Sequence, residues 1–306
     1  MSTSETGSAA VRRGFWTLGR REAAWGYLFL LPNVIGFLVF TALAVLAAFG
    51  LALTEWDLLV PPTFIGTANY AKLVTRDPVF RQAMINTAYF VAGVVPLDVI
   101  SSLSLALLLN RPIRAMTLYR AIYFVPVVTS LIAVSIVWQW LYHSEVGLIN
   151  YVLTGLGLPK INWLGSTEWA MPAIIFMSTW KAMGYYAVIF LAGLQGIPQH
   201  LYEAADIDGA NARQRFWKIT LPLLSPTMFF VLVISIIQSF QVFAQPFIMT
   251  RGGPADATIT IVYFIYNNGF VWFRMGYAAA ASWVLFAIIF LITILQARWQ
   301  RRWVHY

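Results

Sequence analysis

The chain has 306 residues, 60% of them hydrophobic and 16% aromatic, with only 10% charged, against the roughly 25% charged of a soluble globular protein. That balance excludes a soluble fold and points to an all-α, polytopic membrane protein. Cysteine is absent, which excludes disulfides, thiol catalysis and thiolate metal sites. His143, His200 and His305 stand singly, with no companion at i+3 or i+4, so no metal or cofactor is expected on this chain. The net charge of +8 gathers at the ends of the apolar runs, a distribution that needs no nucleic acid to explain it.

In chain order, residues 1–23 read as a polar tail that closes on Arg12, Arg13, Arg20 and Arg21. The apolar run opening at Ala24 is too long for the core of a signal peptide and is expected to stay as an anchor. Six runs reach the roughly 20 residues that one bilayer crossing needs: 25–53, 87–109, 119–142, 171–196, 222–248 and 276–296. The expected organisation is a tail at 1–23, a first transmembrane helix with an external loop at 24–86, a five-helix core at 87–296 carrying a loop at 197–222, and a tail at 297–306. Of the 20 Lys and Arg residues, 13 fall in the tails and in the 110–120 and 197–221 connections. Cytoplasmic loops concentrate such residues, so both termini and both connections are expected in the cytoplasm.

Pro32 and Gly36 interrupt the first span, where a membrane helix tolerates them. The 54–86 connection carries Pro61-Pro62, Gly66 and Asp77-Pro78, turn signals that predict short pieces. Asp98 lies near the middle of the second span and Lys181 within the fourth. Both count to about 15 Å below the outer surface at 1.5 Å per residue. An ionised group at that depth needs a partner or water, and two readings stand: an Asp98–Lys181 pair, or Lys181 toward a wet vestibule with Asp98 on Ser101 or backbone. The 143–170 connection predicts irregular chain around one short helix at 147–154. Between the fourth and fifth spans, Glu203 to Ala210 forms a polar island, and a helix is expected over 198–207 after Pro198. Leu201, Ala204, Ala205 and Asp208 then share one face, flattened by the two alanines, and Gly209 reverses the chain. A second helical piece should run from Asn211 to Thr220.

The fifth span carries Ser235, Gln238, Ser239, Gln241 and Gln245 beside Phe240 and Phe243. These groups suit either a path for a hydroxylated solute or hydrogen bonds between packed helices. Lys181 is a further path candidate, with Tyr185, Tyr186 and Trp180 weaker because aromatics at helical spacing more often pack. No lysine follows a glycine, so the chain has no Gly-x-x-x-x-Gly-Lys-Ser/Thr loop to cradle nucleotide phosphates.

From about 87 to 290 the sequence resembles the inner-membrane permease subunit of ABC importers of the carbohydrate-uptake type, such as maltose, glycerol-3-phosphate and multiple-sugar permeases. The residues that carry the resemblance are Leu191-Ala-Gly-Leu-Gln-Gly-Ile-Pro198, Leu201-Tyr-Glu-Ala-Ala-Asp-Ile-Asp-Gly-Ala210 and Phe216-Trp-Lys-Ile-Thr-Leu-Pro222, similar to the family's EAA loop. Thr250-Arg-Gly-Gly-Pro254 and Gly276-Tyr-Ala-Ala-Ala280 add to it, with Arg251 departing from the glycine of the family pattern. The resemblance implies six transmembrane helices, a cytoplasmic coupling helix between the fourth and fifth, and a multi-pass place in the bacterial inner membrane. It implies Glu203, Ala204, Ala205, Asp208 and Gly209 as the contact with a cytoplasmic ABC ATPase. That subunit, not this one, would use ATP and magnesium. A second, homologous permease and an extracytoplasmic solute-binding protein complete the implied importer, and the chain itself is expected to be no enzyme. The alternative is a secondary transporter in which Asp98 and Lys181 relay an ion or proton.

Overall fold

A computed structural model describes residues 18–111 and 116–303. Arg12, Arg13, Arg114 and His305, used above for charge and histidine placement, lie outside the described residues, as do the side chains of Arg301 and Arg302. The chain divides into two units, Met1–Gly50 and Leu51–Tyr306. The described residues of the first unit lie in the long helix α1 (Leu18–Ala52), apolar enough to cross a bilayer. It passes through Pro32 as α-helix and takes a π-helical stretch at Phe37–Ala42.

The second unit opens with a two-stranded antiparallel ribbon, β1 (Thr54–Glu55) and β2 (Thr63–Phe64), pairing Thr54 with Phe64 and Glu55 with Thr63. After α2 (Ala68–Arg76) comes α3 (Pro78–Leu109), which begins well before the expected 87. Asp77-Pro78, read as a turn, is instead a helix start. Asp77 Oδ1 accepts from the Phe80 amide at 2.9 Å, and proline suits the first helical turn because its missing N–H would be unpaired there. The other oxygen of Asp77 accepts from Tyr277 Oη at 2.7 Å, tying this start to the last helix, α13 (Met275–Trp303).

The expected third span is two helices, α4 (Met116–Val128) and α5 (Leu131–Leu141), bent by 98°. Among the described residues there are therefore five helices long and apolar enough to cross a membrane, or six spans if the bent pair is one. The 143–170 connection holds α6 (Leu148–Gly155) as expected. Around it, buried Asn150 satisfies four bonds: Nδ2 donates to the Ser144 and Ile161 carbonyls, and Oδ1 accepts from the Ile161 amide and Trp163 Nε1. Next come α7 (Ala170–Gln195), α8 (Gln199–Ile207) and α9 (Ala212–Arg215), the last continuing as π-helical and α-helical turns to Leu223.

The fifth span is also broken. It consists of α10 (Ser225–Phe240) and α11 (Ala244–Met249), with a non-helical break over 241–243. Pro246 has no amide to offer the carbonyl of Val242, four residues back. That carbonyl instead accepts from Thr260 Oγ1 at 2.9 Å. A short helix, α12 (Ile261–Tyr266), leads to α13. In the loop between α11 and α12, Arg251 has φ of 51°, a left-handed conformation that a glycine would adopt without strain. The core is laid along α3 and α7, which make the most extensive helix contact in the chain. Phe90 and Val94 pack against Ile174 and Met177 in one cluster, and Leu105 and Leu109 against Tyr186 and Phe190 in another.

Candidate functional site

The 197–222 loop folds as a rigid helix–turn–helix. At the end of α8 the Ala210 amide donates to the Ala205 carbonyl at 2.8 Å and the Gly209 amide to the Asp206 carbonyl at 3.1 Å, with Gly209 at φ 72°. This is the six-to-one and five-to-two pairing of a Schellman cap, and its left-handed residue is the one where a side chain would be strained. Asn211 then starts α9 with a reciprocal capping box with Gln214, both bonds at 2.9 Å. Arg215 pairs with Asp206 across the turn, and Tyr202 Oη shares a 2.9 Å bond with Thr220 Oγ1. The expected flat face is corrected: Ala204 and Asp208 stay on it, while Leu201 and Ala205 turn toward the rest of the chain. Successive helical residues point about 100° apart, and Ala205 is buried against its own chain while Ala204 faces out. The outward face is Glu203, Ala204, Ile207 and Asp208. Ile207, 88% exposed, escaped the sequence reading. Its position four residues after Glu203 was the available signal.

Lys181 and Asp98 make no ion pair with one another. Lys181 reaches from α7 to the broken end of α4, where Nζ donates to the carbonyls of Pro126 at 3.0 Å, Val127 at 3.3 Å and Thr129 at 3.1 Å. The last carbonyls of a helix have no intrahelical partner and carry the negative end of its dipole. A cation is their natural cap. One turn along α7, a Cβ on Gly184 would sit 2.0 Å from the Tyr123 carbonyl oxygen, so glycine alone admits α4 at this distance. Lys181 and Gly184 together fix the bent pair against α7.

Asp98, on α3, is 2% exposed. Its Oδ2 accepts from Ser235 Oγ of α10 at 2.9 Å. Thr179 Oγ1 lies beside the same carboxyl, yet neither it nor Asp98 Oδ1 completes a hydrogen bond. Ser101, the expected contact, donates at 3.4 Å to the backbone carbonyl of Asp98.

Asp98 lines a cavity of about 370 Å³. Gln238, Ser239, Gln241 and Phe243, all expected on the path, line it together with Gln245, and the break at 241–243 forms part of its wall. Irregular backbone at membrane depth is tolerated where it faces protein or a water-filled cavity. Across the space stand Phe90, Val94, Leu131, Ser178 and Tyr186; Tyr186 Oη donates to Gln238 Oε1 at 3.2 Å. Tyr185 and Lys181 are not among the lining residues. Amide and hydroxyl groups beside an aromatic face can hold a polyhydroxylated molecule. Among the described residues no cluster of three His, Asp or Glu is placed to hold a metal ion.

These features define a multi-pass helical membrane protein with a cavity lined by polar and apolar side chains and an exposed, well-capped helix between its fourth and fifth spans. The family described as "binding-protein-dependent transport system inner membrane component" matches residues 98–305. The chain belongs to that family and is a permease subunit of an ABC transporter. It is 37% identical to the probable ABC transporter permease protein YesP of Bacillus subtilis (strain 168) over 94% of each chain. It is 35% identical to the trehalose/maltose transport system permease protein MalF of Thermococcus litoralis, over 90% of this chain and 92% of that one. A crystal structure of a bacterial ABC transporter involved in the import of the acidic polysaccharide alginate matches with a TM-score of 0.81 and 25% identity, over 93% of this chain and 98% of that chain.

Proposed function

We propose that the chain imports a carbohydrate as one half of a pore, with α8 as the coupling helix seated in a cleft of a cytoplasmic ABC ATPase. The partners are two such ATPase subunits, which use ATP and magnesium, a second homologous permease and an extracytoplasmic solute-binding protein. Both termini and the 197–222 loop face the cytoplasm in this reading. The observation that carries it is the mounting of α8: a Schellman cap, a capping box and the Arg215–Asp206 pair make the loop one stiff body. Motion delivered to its outward face then passes into α7 and α10 and is not lost in the loop. Glu203 offers the charge, Ile207 and Ala204 the apolar contact, Gly209 the turn, and Ala205 the packing that backs the helix. Domain closure and hydrolysis would drive the two-state change by differential contact with the two conformations. Asp98 and Lys181, engaged in separate hydrogen-bond sets, offer no continuous relay for an ion-driven mechanism.

The cavity formed by Gln238, Ser239, Gln241 and Phe243 is the solute path. Relatives' solutes run from neutral sugars such as trehalose and maltose to an acidic polysaccharide. A sugar or a sugar-like, glycerol-phosphate type of solute is the shared chemistry, since a further relative is named for sn-glycerol-3-phosphate transport. The test is the complete importer in proteoliposomes carrying Glu203→Ala or Ile207→Asp. Uptake should fall by about tenfold, within the usual range of coupling energies, while binding-protein stimulation of ATP hydrolysis is lost. Full uptake in both variants would sink the coupling role of α8.

A further inference from the structure

The charge of the lining separates Asp98 from every other residue of the cavity. Gln238, Ser239, Gln241, Gln245 and Ser178 are neutral, and the one other charged residue expected on the path, Lys181, does not line it. The ammonium of Lys181 is taken by three carbonyls of the α4 end. Among the described residues the cavity therefore holds a single acidic group and no cation to balance it. Of that group's two oxygens, Oδ2 accepts from Ser235, and beside the carboxyl lies the Thr179 hydroxyl, which like Oδ1 completes no hydrogen bond in this conformation. A buried carboxyl oxygen without a completed hydrogen bond is costly, and such a group calls for a partner.

We propose that Asp98 determines which carbohydrates pass: its free oxygen accepts a hydrogen bond from a hydroxyl or ammonium of the solute, and its charge turns away solutes bearing carboxylate, phosphate or sulfonate. This rests on the cavity being the solute path. Inside a low-dielectric wall a like charge within a few ångströms is repelled far more strongly than in water, whereas a neutral hydroxyl supplies the donor that Oδ1 lacks. The solute is then a neutral or amino sugar and not a sugar acid or sugar phosphate.

The experiment uses the purified transporter complex in lipid nanodiscs and three monosaccharides that share one ring: glucose, glucosamine and glucuronate. Saturation-transfer NMR reads the contact of each with the protein. In the native complex glucose and glucosamine should exceed glucuronate by about tenfold or more, the scale set by a like-charge contact in a partly buried site. Asp98→Asn should bring glucuronate to within about twofold of glucose and lower glucosamine several-fold, and Asp98→Glu should keep the native order. Glucuronate matching glucose in the native complex, or Asp98→Asn leaving the order unchanged, overturns the role of Asp98. Gln241→Ala separates the two claims. If it weakens all three sugars while Asp98→Asn changes nothing, the cavity binds solute and Asp98 is not its filter. If no sugar gives a signal that depends on Gln241, the cavity is not the path and both claims fall together.

Discussion

Asp98 and Lys181 stand on adjacent helices, α3 and α7, in the best-packed part of the chain, yet their charges are handled in opposite ways. Lys181 is saturated: three carbonyls at 3.0 to 3.3 Å accept its hydrogen bonds, and they are the carbonyls that a broken helix leaves unpaired. Asp98 is half-satisfied, with one hydroxyl on Oδ2 and none completing a bond to Oδ1. A charge whose partners are all supplied by the fold serves the fold. One that leaves a hydrogen-bonding atom open at the wall of a cavity retains capacity for something that comes and goes. The two sites teach that an ionisable residue inside a membrane span is not by position alone a solute contact.

The strongest attack on the Lys181 side goes through its neighbour. Gly184→Val would place a side chain against the Tyr123 carbonyl, which as backbone cannot swing aside. A loss of about 3 kcal/mol or more is expected from overpacking of this kind, seen as a large drop in the unfolding temperature of the purified subunit or as failure to accumulate in the membrane. Lys181→Met comes next. Removing the cap strands the Pro126, Val127 and Thr129 carbonyls, at about 2 to 3 kcal/mol given the usual worth of charged hydrogen bonds, whereas Lys181→Arg should recover most of it. Asp98→Asn should cost under about 1 kcal/mol, because the amide oxygen still accepts from Ser235 and a buried charge is removed. The same unfolding assay ranks all three. Equal losses for Lys181→Met and Asp98→Asn would erase the distinction between them.

Some of this contrast was legible in the residues and some was not. Counting from the span ends placed both charges at membrane depth, but the partner of Lys181 is backbone, and backbone carbonyls have no letter in a sequence. Pro126 was the visible trace of the break, and hydropathy averaged over it. Hydropathy also joined α10 to α11, because a run of apolar residues reads the same whether or not Pro246 has cost a carbonyl its donor. Asp77-Pro78 carries the same two letters as a turn and as a helix start, and the Phe80 amide decides between them. The loop helix and the reversal at Gly209 were fully legible, since their signals are local. The outward turn of Ile207 depended on which side of α8 the rest of the molecule covers. The gathering of Gln238, Ser239 and Gln241 at one cavity followed from their spacing. The place of Asp98 on the opposite wall did not, being set by how α3 packs against α7 and α10.

The weakest expected effect supplies the control for the comparison. Lys160 Nζ, after α6, meets Glu145 Oε2, before it, at 2.9 Å, with both side chains half or more exposed. It resembles Lys181 in donating to oxygen, but the surroundings are water. The ammonium of Lys160 holds the Glu145 carboxyl below its ordinary range. A carboxyl whose folded value is depressed adds stability above its unfolded value near 4.3 and loses it as pH falls through the folded value. Wild type and Glu145→Gln should therefore differ slightly at pH 7 and low salt, and should converge as the pH is brought to about 3 or as salt is raised past about 0.5 M, where exposed pairs are screened. Lys181→Met should keep its deficit throughout both titrations, because carbonyl acceptors do not titrate and an intramembrane cap is poorly screened. If added salt erased the Lys181 deficit as readily as that of Glu145, Nζ would be solvated where the structure has it capping a helix.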